Sequence, residues 1–134
     1  MQANTTPVNG LGLAPGTAEG AVEASVEPVS VARIDPASGI LKEPGHALHG
    51  RCLAGSVLVF PSGKGSSSGS YVLLNLARRG LAPAAMVVSN ADAVLIAGAV
   101  LAGIPLVSGL DADALRLLGA SARLRVDGER GTVS

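Results

Sequence analysis

The chain has 134 residues, enough for one domain with a single hydrophobic core. Its ten basic and ten acidic side chains cancel to a formal net charge of zero, and Phe60 and Tyr71 are its only Phe, Tyr or Trp residues. The sequence therefore lacks both the positive field and the stacking surfaces on which nucleic-acid binding depends, and its apolar residues, 48% of the chain, are mainly aliphatic, as in an α/β core.

Membrane insertion and export are not expected. The longest apolar stretch, residues 93–107, is shorter than the roughly 20 residues that a bilayer requires and contains Gly98, Gly103 and Pro105. The N-terminal residues are polar where a signal peptide has a basic and then an apolar region, so the expected location is cytoplasmic. Cys52 is the single cysteine, whereas an iron–sulfur cluster needs about four thiolates, so any cluster is expected on another chain.

The N-terminal part of the chain predicts a flexible segment followed by strands and turns. Residues 1–17 are rich in Gly, Pro, Thr and Asn and are interpreted as the flexible segment, although residues 10–13 have the character of an edge strand. The domain is expected to span residues 18–134. Residues 21–31 predict two short strands, or an edge strand that Pro28 interrupts.

The middle and C-terminal parts of the chain alternate between strand and helix patterns. The predicted segments are, in order, a turn at 34–40, a central strand at 55–60, a glycine- and serine-rich loop at 61–69, a helix at 70–79, a strand at 84–88, a helix at 91–102 with Asn90 as N-cap, a strand at 104–107, a helix at 111–118, and a hairpin that turns at Asp127 and Gly128. Together they predict an α/β fold in which a sandwiched or barrel-like sheet carries two or three flanking helices.

The loop after the central strand carries the strongest functional signal. Unpaired backbone N–H groups at a helix N-terminus, together with glycines that allow close approach, favour an anion-binding site. The loop is not a Walker A phosphate loop, because Lys64 is followed by Gly65 instead of Ser or Thr. The segment 65–69 fits the nucleophile-elbow pattern, but His46 and His49 precede it, whereas the histidine of that family follows the serine.

Three segments, in their order and spacing, resemble the small subunit of aconitase X proteins. They are residues 61–71 (Pro-Ser-Gly-Lys-Gly-Ser-Ser-Ser-Gly-Ser-Tyr), residues 79–85, and residues 102–105 (Ala-Gly-Ile-Pro), and the likeness covers about residues 18–133. In that family the small subunit is a swivelling β/β/α domain. It closes over a large subunit that holds an iron–sulfur or iron centre, and the pair dehydrates a hydroxy acid. The resemblance thus implies a hydro-lyase subunit with no cofactor of its own.

The resemblance also implies roles within the loop. In the aconitase superfamily the first serine of the Gly-Ser-Ser segment is the catalytic base, and Ser66 occupies that position. Lys64, Gly65, Ser67 and Ser68 would then contact the substrate. Aconitase-like enzymes place a carboxylate-binding arginine where this chain has Ser68, which implies a substrate other than citrate or isopropylmalate. The family suggests cis-3-hydroxy-L-proline as the first choice and phosphomevalonate as the alternative.

Dehydration of a hydroxy acid needs a base for a carbon-bound proton and an acid for the departing hydroxide. The serine would supply the first and the partner's iron the second. A helix N-terminus stabilises a negative charge by at most about 2 kcal/mol, which alone cannot make a serine hydroxyl a base at neutral pH. Most of the activation is therefore expected from a closed, water-poor site that the large subunit completes, and the isolated chain is expected to be inactive.

Four side chains keep two interpretations each. Lys64 suits a solvated lysine and a substrate-carboxylate contact equally well. His46 and His49, with Glu43 nearby, have the spacing of two metal ligands, but an ordinary surface loop is favoured. Asp35 lies among turn-forming residues, which favours a turn role over a functional one.

Two further classes of function stay open from the sequence. Phosphocarrier swivel domains end in a similar Gly-Ile-Pro segment, but they carry phosphate on a histidine where this chain has Val94. A non-catalytic binding module is the other alternative, and it predicts that replacing Ser66 leaves function unchanged.

Overall fold

The computed structural model describes residues 7–64 and 68–134. The strands are β1 (Val8–Asn9), β2 (Leu11–Ala14), β3 (Thr17–Ala24), β4 (Val57–Val59), β5 (Ala85–Val87), β6 (Leu106–Ser108), β7 (Arg123–Asp127) and β8 (Thr132–Val133). The helices are α1 (Gly69–Arg78), α2 (Ala93–Ala102) and α3 (Ala112–Gly119), and a 3₁₀ turn covers Val31–Arg33. Within the described ranges, no helix is long and apolar enough to cross a bilayer.

The strands form one mixed sheet in the order β1-β8-β7-β3-β4-β5-β6-β2. Strands β3 to β6 run parallel, whereas β2, β7 and β8 pair antiparallel with their neighbours. Because β1 and β2 lie at opposite ends of this order but are separated in sequence only by Gly10, the sheet curls until it nearly closes. The predicted barrel-like α/β fold is confirmed, with three helices in the part of the chain that the structure describes.

Glycines line the seam where the sheet closes. The N–H of Gly10 donates to the carbonyl of Gly131 at 2.7 Å. A Cβ atom at Gly128 would lie 1.9 Å from the carbonyl oxygen of Ala14, and one at Gly12 would lie 2.1 Å from the carbonyl oxygen of Gly128. Backbones approach at this seam more closely than any side chain permits, so these positions require glycine.

The two faces of the parallel strands bury two separate clusters. Leu58 and Phe60 contribute to a cluster that includes the inner faces of α1 and α2, while Val57 and Val59 contribute to a second cluster with β7, β8 and α3. All four side chains are at most 1% exposed. The prediction of a central strand at residues 55–60 is therefore confirmed.

Two local predictions were wrong. Residues 21–31 do not form two strands or an edge: β3 is a single strand between β7 and β4, and Pro28 lies beyond its end. The N-cap of α2 is not Asn90 but Asp92, whose carboxylate accepts from the N–H of Leu95 at 2.8 Å. Strands β1 and β2 lie before residue 18, where the sequence predicts that the domain begins, and residues 10–13 overlap the edge strand β2.

Candidate functional site

The candidate site lies at the carboxyl ends of the parallel strands. The N–H of Ser25, directly after β3, donates to the carbonyl of Val59 at 2.9 Å. The N–H of Ser89, shortly after β5, donates to the carbonyl of Pro61 at 3.1 Å. Segments that follow three strands therefore meet around the beginning of the serine loop, residues 61–68, at the edge where α/β sheets characteristically bind ligands.

Three of the five predicted site residues, Gly65, Ser66 and Ser67, lie outside the described residues. Lys64 and Ser68 flank them and are described. Ser68 is the N-cap residue of α1, so the loop leads directly into a helix N-terminus, as the sequence predicts. The assignments of Ser66 as catalytic base and of its neighbours as substrate contacts stay predictions.

The first turn of α1 is held tightly and keeps its positive character. A Cβ atom at Gly69 would lie 3.0 Å from Cγ2 of Val31 and 3.3 Å from Cγ1 of Val94, so the helix begins between the 3₁₀ turn and α2. The first turn contains no acidic residue, and the partial positive charge of the helix N-terminus is not offset from within the turn. Val94, at the phosphocarrier histidine position, packs against this junction.

A buried carboxylate lies under the first half of the serine loop. One oxygen of Glu43 accepts from the backbone N–H of Ser30 at 3.1 Å, and the other accepts from the ammonium of Lys64. Burial acts to raise the pKa of Glu43, but the hydrogen bonds from Lys64 and Ser30 and the charge of Lys64 outweigh it, so the pKa lies below its ordinary value of 4.5. Lys64 is thus paired within the chain, with 46% of its side chain still exposed.

The segment that carries the two histidines has a structural role. The expectation of an ordinary surface loop is wrong for His46, which is buried. Its Nδ1 accepts from the N–H of Leu48 at 3.0 Å, so its Nε2 carries the proton and donates to the carbonyl of Pro28, also at 3.0 Å. Both ring nitrogens are therefore engaged within the chain. Among the described residues, no group of three or more His, Cys, Asp or Glu side chains is arranged to hold a metal.

Asp35 and Cys52 have local surroundings. The carboxylate of Asp35 accepts from the hydroxyl of Ser38 at 2.8 Å and from the N–H of Ala37 at 3.1 Å, and these two hydrogen bonds lower its pKa. The predicted turn role of Asp35 is confirmed. Cys52 is exposed, and its thiol lies 3.6 Å from the carbonyl oxygen of Ser38. A lone exposed thiol does not fit an iron–sulfur centre.

An open cleft of about 400 Å³ lies at the same edge of the sheet as the serine loop. Its lining is mainly apolar and comes from the ends of β3 and β4, the segment after β5, and α3: Ala24, Ser25, Val26, Pro61, Ser89, Ala112, Leu115, Arg116, Gly119 and Ala120. Apart from Pro61, which begins the serine loop, sequence reasoning missed these residues because segments distant in sequence supply them and those segments carry no motif.

Comparisons with known proteins find similar sequences and a similar structure. A family model described as the aconitase X swivel domain matches residues 7–134. The phosphomevalonate dehydratase small subunit of Pyrococcus furiosus is 42% identical over 127 residues, which are 94% of this chain and 92% of the relative. That of Methanococcoides burtonii is 39% identical over 90% of this chain and 89% of its own length. The crystal structure of Thermococcus kodakaraensis aconitase X in its holo-form superposes with a TM-score of 0.87 at 34% identity, over 97% of this chain and 98% of that one.

Proposed function

Because the chain belongs to the aconitase X swivel-domain family, we propose that it is the small subunit of a heteromeric hydro-lyase that dehydrates phosphomevalonate. The observation that carries the proposal is the 42% identity to the Pyrococcus furiosus subunit across almost the full length of both chains. The sequence alone favoured cis-3-hydroxy-L-proline. We now prefer phosphomevalonate, since the relatives reported above carry that name.

In the proposed reaction Ser66 takes a proton from a substrate carbon. The electron pair of that C–H bond forms the new C=C bond, and the hydroxyl group leaves from the adjacent carbon as hydroxide. The proton taken by Ser66 is then released, so that the proton and the hydroxide leave together as one water and the serine is regenerated. A large subunit with an iron centre is proposed to supply the Lewis acid for the leaving hydroxide. This chain contributes the base, the backbone around it and one wall of the site.

The described surroundings of the loop suit an anionic substrate. Phosphomevalonate carries a carboxylate and a phosphate, and the N-terminus of α1 offers backbone N–H groups with no acid in its first turn. The nearest buried acid, Glu43, is neutralised by Lys64. Gly65, Ser67 and Ser68 are therefore proposed to bind the anionic substrate mainly through the helix N-terminus.

The test is an assay of the chain co-expressed with its large subunit on phosphomevalonate and on cis-3-hydroxy-L-proline. Ser66→Ala should lower kcat by about 10²- to 10⁴-fold while the complex still forms. Ser134→Ala is the matched control, because Ser134 pairs with Arg125 in the antiparallel part of the sheet, and it should keep wild-type activity.

Each component of the proposal has an outcome that contradicts it. Turnover of cis-3-hydroxy-L-proline but not of phosphomevalonate would show that the proposed substrate is wrong. Full activity of Ser66→Ala in an intact complex would show that the base is wrong and would favour a non-catalytic module. Turnover by this chain without the large subunit would contradict the proposed division of labour.

A further inference from the structure

We propose that Glu43 and Lys64 form a clamp that fixes the serine loop for catalysis, which makes Glu43 a positioning residue of the enzyme. The inference rests on the proposed function and deepens it. It assigns Lys64 a different role from the substrate contact that the family resemblance implied.

The first observation is the burial of the acid. Among the ion pairs of the described residues, Glu43 is the least exposed acid, with 8% of its side chain accessible, whereas the next, Glu23, has 17%. A buried carboxylate is costly unless its oxygens are paired. Both oxygens of Glu43 are paired, one by a backbone N–H and one by a lysine ammonium. The acid therefore belongs to the packed structure and is not a solvated surface charge.

The second observation is the set of segments that the clamp joins. Glu43 accepts from the N–H of Ser30, and the preceding N–H, that of Val29, donates to the carbonyl of Ser62 in the serine loop at 3.0 Å. The following residue, Val31, packs against Gly69 at the beginning of α1. Residues 29–31 thus contact the chain before Ser66, at Ser62, and after it, at Gly69. Glu43 and Lys64 hold the side that precedes Ser66.

The third observation concerns charge. A lysine that binds a substrate carboxylate is not expected to form an ion pair with an acid of its own chain, but the ammonium of Lys64 is already paired with Glu43. The exposed 46% of the Lys64 side chain leaves it free to turn toward water if Glu43 loses its charge. Removing the carboxylate would therefore release the loop and at the same time free a cation, and these two consequences have opposite effects on an anionic substrate.

This opposition gives a sharp kinetic test in the assembled complex with phosphomevalonate. If the clamp exists, Glu43→Gln and Lys64→Met each lower kcat by about 10- to 100-fold, as is typical when a residue that orients the reacting groups is lost, and KM changes less than about threefold. The double variant should resemble either single variant, because one interaction is removed in all three. Lys64→Arg should restore most of the activity, and Glu19→Gln, which removes an exposed carboxylate from β3, should have no effect.

The opposite pattern overturns the clamp. If Lys64 binds the substrate directly, Lys64→Met raises KM strongly while Glu43→Gln leaves KM unchanged or lowers it. Additive losses in the double variant would likewise separate the two residues.

A second readout does not depend on turnover. Hydrogen exchange of the complex, followed by mass spectrometry, should be faster at Ser30 and across residues 62–70 in Glu43→Gln and Lys64→Met, and near wild type in Lys64→Arg. Unchanged exchange in both weakened variants would refute the clamp. If the variants exchange as expected relative to wild type but the wild-type complex does not dehydrate phosphomevalonate, the proposed function is refuted and the clamp is supported.

Discussion

Replacing Gly128 with alanine should open the seam where the sheet closes. The new Cβ would lie 1.9 Å from the carbonyl oxygen of Ala14 and 3.2 Å from the nitrogen of Leu106, and both are backbone atoms that no rotamer change can move. The strands must separate by about 1 Å before the first contact reaches 3.0 Å. The hydrogen bond from the N–H of Gly128 to the carbonyl of Gly16, at 2.8 Å, would be strained by that movement.

The expected cost combines two contributions. Overpacking costs about 1–3 kcal/mol, and the one or two backbone hydrogen bonds at the seam contribute about 1 kcal/mol each, so Gly128→Ala should lower the free energy of unfolding by about 2–5 kcal/mol. At about 4 °C per kcal/mol for a chain of this size, Tm should fall by about 8–20 °C.

Urea unfolding followed by circular dichroism measures this cost directly. Gly63→Ala is the control, because the nearest atom to its Cβ would be the carbonyl oxygen of Val29 at 3.9 Å, and it should be neutral or stabilising by up to about 1 kcal/mol. A Gly128→Ala chain within about 1 kcal/mol of wild type would refute the description of the seam.

Three further predictions address the helices and the buried ion pair. Asp92→Ala should destabilise the chain by about 1 kcal/mol in urea unfolding, because α2 loses its N-cap hydrogen bond. Gly98→Ala should also destabilise the chain, because the added Cβ would lie 2.8 Å from the side chain of Leu73 and 3.0 Å from the Cα of Ser70 in α1. The overpacking cost of about 1–3 kcal/mol should exceed the gain in helix propensity of about 1 kcal/mol, and a higher Tm would contradict this. Glu43, which faces Lys64 and His46, has a folded-state pKa below 4.5. The stabilisation that its charge provides is therefore fully present above pH 4.5 and is lost as the pH falls through the folded-state pKa. The difference in Tm between wild type and Glu43→Gln should shrink on acidification, and a constant difference would contradict this prediction.

The parts of the fold that local patterns determine were predicted well. Residues 57–59 lack polar residues on either face, which indicates a central strand, and α1 begins and ends within one residue of its predicted bounds. β3 was misread because its inward positions are small. A Cβ at Gly20 would lie 2.4 Å from the carbonyl oxygen of Gly55, so close backbone packing replaces the alternating apolar side chains by which a strand is usually recognised.

The N-cap of α2 shows a different limit. Asn90 and Asp92 both suit an N-cap, and the sequence between them does not decide which is used. The N–H of Asn90 donates to the carbonyl of Pro61 at 3.1 Å, so a contact with the serine loop holds Asn90 outside the helix. Closure of the sheet is also non-local, because the path of β1 and β2 across the seam depends on glycines more than a hundred residues later in the chain.

The same distinction between local and non-local information applies to the candidate site. The serine loop could be found from its composition, its position before a helix and its family resemblance, all of which are properties of consecutive residues. The partner of Lys64 could not, since Glu43 is 21 residues away and lies in a segment that the sequence favours as an ordinary surface loop. Once that segment is folded back, His46 anchors its turn to Pro28 and Glu43 faces the loop. The residues that contact the serine loop from distant parts of the chain are therefore harder to find from sequence than the loop itself, because a buried acid indicates its role only through the distant group that balances its charge.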